Sequence, residues 1–230
     1  MVSLKRAVSV DEFDAGLQLV LIGPPGAGKG TIAEKLKARY PALAHLSTGE
    51  ILREAISAGT DVGREVQDSV EAGRLAPDDV MNRIMAEILG NAGSFVLDGY
   101  PRTVPQAEFL ADLPGVDIDA VLYVAVPRLE AARRIAGRQE CPGGDDDGPE
   151  ADCGCSGCHD HEDLEPRADD EPETVLKRFD VYMRKTAPVL DYYRGAGLLR
   201  EIDGTGTREE VWARVEAALT PLLTGSDDNR

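Results

Sequence analysis

With 42% apolar residues, a chain of 230 residues can bury a substantial core, and no run approaches the roughly 20 apolar residues that a membrane span needs. The formal charge of -17 is concentrated rather than spread: residues 139–173 hold 14 Asp/Glu against Arg167 alone, which leaves only -4 for the rest. No Lys/Arg-rich face stands out, which argues against nucleic acid as a partner.

Met1 to Gly16 contains Lys5 and Arg6 but no apolar stretch of the kind a secretory signal needs. It reads as a short, poorly ordered leader on a cytoplasmic protein. Leu17 to Ile22 is an almost unbroken apolar run, as expected of a strand covered on both faces. A glycine-rich turn follows, then a helical pattern from Gly30 to Arg39. Ala44 to Leu46 is a second strand. Helical patterns follow at Thr48 to Ile56, Val62 to Glu71 and Asp78 to Leu89, the last entered through Pro77. Phe95 to Leu97 and Val121 to Val126 are further strands, separated by a helix over Val104 to Leu110. A helix is predicted over Leu129 to Arg138, and another as one piece over Glu173 to Tyr193. The last strand spans Leu198 to Ile202, and the last helix Arg208 to Leu222, capped by Thr207. Strand–helix alternation predicts an α/β fold, a five-stranded parallel sheet flanked by helices. Two stretches break the pattern. Ser47 to Ala76 is helical with no strand of its own, and Arg138 to about Asp170 is rich in Gly, Pro and Asp. Residues 223–230 read as a frayed polar tail.

The turn after the first strand is Gly23-Pro24-Pro25-Gly26-Ala27-Gly28-Lys29-Gly30-Thr31. A strand, a Gly-rich turn and a helix N-terminus in that order form a phosphate-binding P-loop. Its glycines let the backbone wrap tightly and aim N–H groups at phosphate oxygens, and the helix adds partial positive charge. Lys29 reaches the outer phosphates as a point charge. In the general motif a Ser or Thr directly after the Lys holds Mg²⁺; here Gly30 follows and Thr31 comes one place later. The bland alternative is a Gly-rich turn with no ligand.

This Gly-Lys-Gly-Thr variant resembles the loop of the adenylate kinase family, and further motifs match in order from Leu17 to about Leu222. Ser47-Thr48-Gly49-Glu50-Ile51-Leu52-Arg53 is similar to the start of the family's monophosphate clamp, with Glu50 where Asp is usual. Asp98-Gly99-Tyr100-Pro101-Arg102-Thr103 resembles its central signature. Arg134-Ile135-Ala136-Gly137-Arg138, Arg167-Ala168-Asp169-Asp170, Thr174 to Arg178 and Lys185-Thr186-Ala187-Pro188 continue the series. The resemblance implies a P-loop core of residues 17–46, 77–137 and 171–222, a nucleoside-monophosphate-binding insertion at 47–76 and a lid at 138–170. It implies reversible transfer of a phosphoryl group from ATP to AMP, giving two ADP, by a monomer that takes Mg²⁺ with ATP.

The resemblance also implies the site. ATP would lie on Gly26, Ala27, Gly28, Lys29, Gly30, Thr31, Arg134, Arg138 and Gly206. AMP would meet Thr48, Arg53, Arg74, Leu75, Ala76, Gly99, Tyr100, Pro101, Arg102, Gln106, Arg167 and Arg178. Catalysis would fall to Lys29, Arg102, Arg138, Arg167 and Arg178. The chemistry suits these residue types: phosphoryl transfer needs in-line positioning and cancellation of charge rather than a covalent intermediate, and guanidinium groups fork onto phosphate. Arg134 and Arg178 are expected beside the lid, cradling the transferred group when it closes. Gln106 has the donor–acceptor pair that an adenine edge requires. Taken singly, Thr48 is as readily a helix cap, Arg53 an exposed helical arginine and Gln106 part of a solvated face. Asp98, at a strand end beside the P-loop, is expected to hold Mg²⁺ through water, a cap of the next turn being the competing role.

All four cysteines, Cys141, Cys153, Cys155 and Cys158, lie in the acidic stretch. Many family lids hold a structural Zn²⁺ through two Cys-x-x-Cys pairs. Here Gly144 breaks the first pair, while Cys155 and Cys158 form an intact second one. Cys153, His159 or His161 is available as a fourth ligand of a tetrahedral site; a flexible acidic loop with free thiols is the alternative. Two other functions stay open at this point: the same chemistry with another base, and a non-catalytic nucleotide or zinc binder. Fourteen carboxylates around the lid would repel ATP phosphates and one another, biasing the lid open. At fixed Mg²⁺, KM for ATP should therefore fall between low and moderate salt; an unchanged KM would contradict the bias.

Overall fold

The computed structural model describes residues 16–90, 93–136 and 171–224. Strand β1 (Gln18–Ile22) leads through the P-loop into α1 (Lys29–Arg39). Strand β2 (Ala44–Ser47) runs straight into α2 (Thr48–Ser57) and α3 (Asp61–Glu71), and α4 (Asp78–Leu89) returns the chain to β3 (Phe95–Asp98). Next come α5 (Val104–Ala111), β4 (Ala120–Ala125) and α6 (Arg128–Ala136). After residue 170 the chain forms α7 (Pro172–Val181), a π-helical turn (Tyr182–Thr186), α8 (Ala187–Gly195), β5 (Leu199–Asp203) and α9 (Arg208–Thr224).

The five strands form one parallel sheet in the order β2-β3-β1-β4-β5. Strand β1 is central: β2 and β3 lie on one side of it, and after β3 the chain crosses to β4 and β5 on the other. The crevice beyond the carboxyl ends of such strands is where open α/β sheets bind ligands. Both sheet faces are covered, which explains the near-continuous apolar strands. Val20, Ile22, Phe95 and Leu97 point to one side, among α4, α5 and α8 residues such as Met85, Leu110 and Val189. Leu19, Leu21, Val96 and Leu122 point to the other, against Ile32 and Leu36 of α1 and Val215 and Leu219 of α9. Full burial of side chains of this size stabilises by roughly 1.5–3 kcal/mol each, so the strands that carry the site are anchored from both faces. A third cluster, Ala131, Ile135, Val175 and Phe179, joins α6 to α7 on either side of segment 137–170.

Three differences from the expected elements have local causes. The single helix predicted over Glu173 to Tyr193 is interrupted by the π-helical turn, where the Ala187 N–H reaches back five residues to the Tyr182 carbonyl. Pro188 has no N–H and its ring crowds the preceding turn, so a widened turn absorbs the defect. The last helix runs past Leu222 to Thr224 with Pro221 inside it, so the first part of the expected tail is helical. Ser47, not Thr48, caps α2, its hydroxyl accepting from the Glu50 N–H at 3.4 Å. The cap expected at Thr207 is a reciprocal box: the Glu210 N–H donates to its hydroxyl, and the Glu210 carboxylate accepts from its N–H at 2.9 Å. Among the described residues no helix is long and apolar enough to cross a membrane.

Candidate functional site

Two cavities open at the carboxyl end of the sheet and meet at the P-loop. The larger cleft, about 540 Å³, is floored by Gly26, Ala27, Gly28, Lys29, Gly30 and Thr31. Its volume falls in the range of roughly 300–1,000 Å³ typical of small-molecule sites. Helix α1 begins at Lys29 on a left-handed Gly28, so its first N–H groups have no partner within the helix and face the cleft. Gly26 has φ +76°, and a Cβ there would stand 2.3 Å from the Ala131 carbonyl oxygen. Only glycine lets the loop turn this way while pressed against α6. The Lys29 ammonium donates to the Gly23 and Pro24 carbonyls, each at 3.2 Å, which ties its head to the loop it serves.

The other side of the larger cleft comes from β3, α6 and the turn after β5. Asp98 ends β3 and lines this cleft. Arg134 donates to the Gly204 carbonyl at 2.9 Å and to Glu130 at 3.3 Å. It is thus fastened to the turn that carries Gly206, and it lines the larger cleft. Lys35, Arg133, Arg208 and Trp212 also line this cleft. Their spacing in sequence gives no signal, because they come from three helices, α1, α6 and α9, that meet only around the cleft.

The smaller cavity, about 150 Å³, lies between α2, α3, α5 and the π-helical turn. Its walls include Thr48, Arg53, Arg74, Leu75, Ala76, Gly99, Pro101, Arg102, Gln106 and Arg178. Thr48 donates to the Asp98 carbonyl at 3.3 Å, and Arg102 Nε to the Gly99 carbonyl at 2.7 Å. Gly99 has φ +84°, and a Cβ there would meet the Thr48 hydroxyl oxygen at 2.5 Å, so backbone forms the wall at that point. Gln106 is 2% exposed, far from a solvated face. Tyr100 stands behind the wall: it is 1% exposed, its hydroxyl donates to Asn82 at 2.7 Å, and burial together with the charge of Asp78 pushes the phenol well above its usual range. Tyr182 and Thr186 of the π-helical turn line this cavity and were not foreseen, since the continuous helical pattern hid the turn that presents them.

Lys29, Arg53, Arg102 and Arg178 line both cavities, so these cations mark the junction. Arg138, Arg167, Cys141, Cys153, Cys155 and Cys158 lie outside the described residues. Among the described residues no group of three or more His, Cys, Asp or Glu side chains converges as a metal site.

A P-loop at the junction of two joined cavities belongs to a nucleotide-handling P-loop protein. The family model for adenylate kinase matches residues 21–198. An adenylate kinase of Kosmotoga olearia is 41% identical over 216 residues, covering 87% of this chain and 99% of that protein. One of Moorella thermoacetica is 43% identical over 224 residues, 88% of this chain and 98% of the relative. One of Thermus thermophilus is 40% identical over 210 residues, 90% and 99% respectively. The chain belongs to the adenylate kinase family.

The turn after β5 has its own anchor. Asp203 accepts from the Thr205 N–H at 3.0 Å and from its hydroxyl at 2.8 Å, and Arg214 donates to the Asp203 and Thr205 carbonyls. The two Thr205 bonds, with the Arg214 charge beside them, hold the Asp203 carboxyl below its usual range. A lowered folded-state value stabilises above the unfolded value of about 3.9 and ceases to do so as pH falls through the folded value. Asp203→Asn should therefore lower the thermal midpoint at neutral pH, and the gap to wild type should close below about pH 4. A gap of constant size down to about pH 2 would show that the charge plays no part.

Proposed function

We propose that the chain transfers the terminal phosphoryl group of ATP to AMP, with ATP in the larger cleft and AMP in the smaller cavity. The observation that carries this reading is the set of cations common to both cavities: Lys29, Arg53, Arg102 and Arg178. Two polyphosphates brought end to end repel each other, and charge builds on the equatorial oxygens of the group in transit. An AMP phosphate oxygen attacks the terminal phosphorus of ATP; that P–O bond forms while the bond to the β–γ bridging oxygen breaks, and ADP leaves on each side. No side chain needs to become covalently attached. The P-loop N–H groups and Lys29 hold the donor phosphates, Arg53 and Arg102 grip the AMP phosphate, and Arg178 spans the gap.

Mg²⁺ accompanying ATP would neutralise charge on the β- and γ-phosphate oxygens, and the cleft-facing carboxylate of Asp98, a hard oxygen donor, suits a cation that keeps its waters. Gln106 and Thr48 are assigned to the AMP base, and Gly206 with Arg134 to the ATP side. Segment 47–76 is assigned to AMP binding and segment 138–170 to a lid that supplies Arg138 and Arg167. A monomer fits this reading, because residues of a single chain wall both cavities. For the lid we propose a structural Zn²⁺ held by Cys141, Cys153, Cys155 and Cys158; four soft thiolates are the donor set zinc prefers.

A coupled assay of ADP formation from ATP and AMP tests the function. Lys29→Met and Arg178→Ala should each lower kcat by about 10²–10³-fold, the usual loss for one charge-stabilising donor. An Arg178→Ala enzyme as active as wild type would refute the shared-cation reading. The zinc proposal rests on metal content: about one Zn²⁺ per chain in purified protein, lost in a Cys155→Ser, Cys158→Ser variant, is expected, and zinc-free wild type that folds and turns over normally would overturn it.

A further inference from the structure

Gln106 is held on every side. Its N–H donates to the Thr103 hydroxyl at 3.3 Å, and its carbonyl accepts from the Tyr100 hydroxyl at 3.3 Å. Its side-chain oxygen accepts from the Arg102 N–H at 2.7 Å, and its side-chain NH₂ donates to the Asp78 carboxylate at 2.8 Å. The second carboxylate oxygen of Asp78 accepts from the Thr103 hydroxyl at 3.0 Å. Asp78 itself lines neither cavity; it stands at the start of α4, behind Gln106.

These partners settle which way round the amide lies, a choice that shape alone leaves open. An ionised carboxylate only accepts, and a backbone N–H only donates. Turned over, the amide would set its oxygen against the Asp78 carboxylate and its NH₂ against the Arg102 N–H, two repulsive pairs in a buried place. In the observed orientation one lone pair and one N–H of Gln106 remain for a ligand. A 6-aminopurine offers an N–H beside a ring acceptor and matches that pair. A 6-oxopurine offers an oxygen beside a ring N–H and matches only the reversed amide.

We infer that Asp78 is a specificity-determining positioning residue: together with the Arg102 N–H it locks the Gln106 amide in one orientation, and so makes the smaller cavity accept 6-aminopurine monophosphates and reject 6-oxopurine ones. The inference rests on the assignment of that cavity to AMP. Asp78 touches no nucleotide and acts through Gln106. Replacing it with Asn, of nearly the same shape, supplies both a donor and an acceptor and so removes one of the two repulsive pairs that oppose the reversed Gln106 amide, leaving only the Arg102 N–H against it.

The test compares AMP, purine riboside 5′-monophosphate (which lacks any 6-substituent) and IMP as acceptors. With wild type, kcat/KM should fall in that order, because IMP presents mismatched groups where purine riboside monophosphate merely lacks one. IMP used as well as or better than purine riboside monophosphate would overturn the inference without any mutation. In Asp78→Asn the ratio of kcat/KM for AMP to that for IMP should drop by about tenfold, with KM for ATP unmoved. Asp78→Glu, which keeps an acceptor-only group, should retain most of the ratio. If Asp78→Asn changes both acceptors by the same factor, or neither, Asp78 is structural only and the inference falls. Gln106→Leu separates the two levels. If it leaves KM for AMP unchanged, the base assignment itself is wrong. If it raises KM while Asp78→Asn spares the ratio, only the role of Asp78 is lost.

Discussion

Phosphoryl transfer between two nucleotides requires two strings of negative charge to meet end to end, and they do so only where positive groups are already fixed in place. The molecule meets that constraint with cations that belong to both cavities at once. Each comes from a different part of the chain: Lys29 from the start of α1, Arg53 from α2, Arg102 from the turn after β3 and Arg178 from α7. A flexible cation would have to be ordered during the reaction. Here the ordering is done by folding: Lys29 and Arg102 follow the ends of β1 and β3, whose residues are buried on both faces, and α7, which carries Arg178, is packed on α6 through Val175 and Phe179.

The arrangement has a recurring feature. Groups that face ligand are held from behind by groups that do not. Lys29 is tied to the Gly23 and Pro24 carbonyls, Arg102 to the Gly99 carbonyl, and Arg134 to the Gly204 carbonyl and Glu130. Gln106 rests on Asp78, Thr103, Tyr100 and the Arg102 N–H. A neutral carbonyl behind a cation restricts its orientation without cancelling its charge. Position is therefore set before any nucleotide arrives.

Parts of this site were legible in the chain itself. The run from Gly23 to Thr31 is readable because a tight phosphate loop needs glycines at close intervals and a helix directly after them, all within a few residues. The strands were readable because burial on both faces demands unbroken apolar runs. Arg53, Arg102 and Arg178 were reached only through the order of several motifs, since a lone arginine on a helix is ordinarily a surface group. What the chain did not reveal has one cause. Arg134 is bonded to the turn after β5, Tyr100 is buried with its hydroxyl on Asn82, and Tyr182 and Thr186 were concealed within an apparently uniform helix. In each case the deciding partner is remote in sequence, or a proline changes the helical repeat.

Sequence alone thus determined what depends on near neighbours: the phosphate loop, the alternation of strand and helix, the Thr207 cap and the residue types able to carry phosphate. Tertiary structure alone decided which distant groups meet. Asp78 and Gln106 stand 28 residues apart and share a bond of 2.8 Å only because α4 and α5 pack side by side on the sheet. Hydrogen-bond partners of buried groups are set by that packing, and no local pattern encodes it.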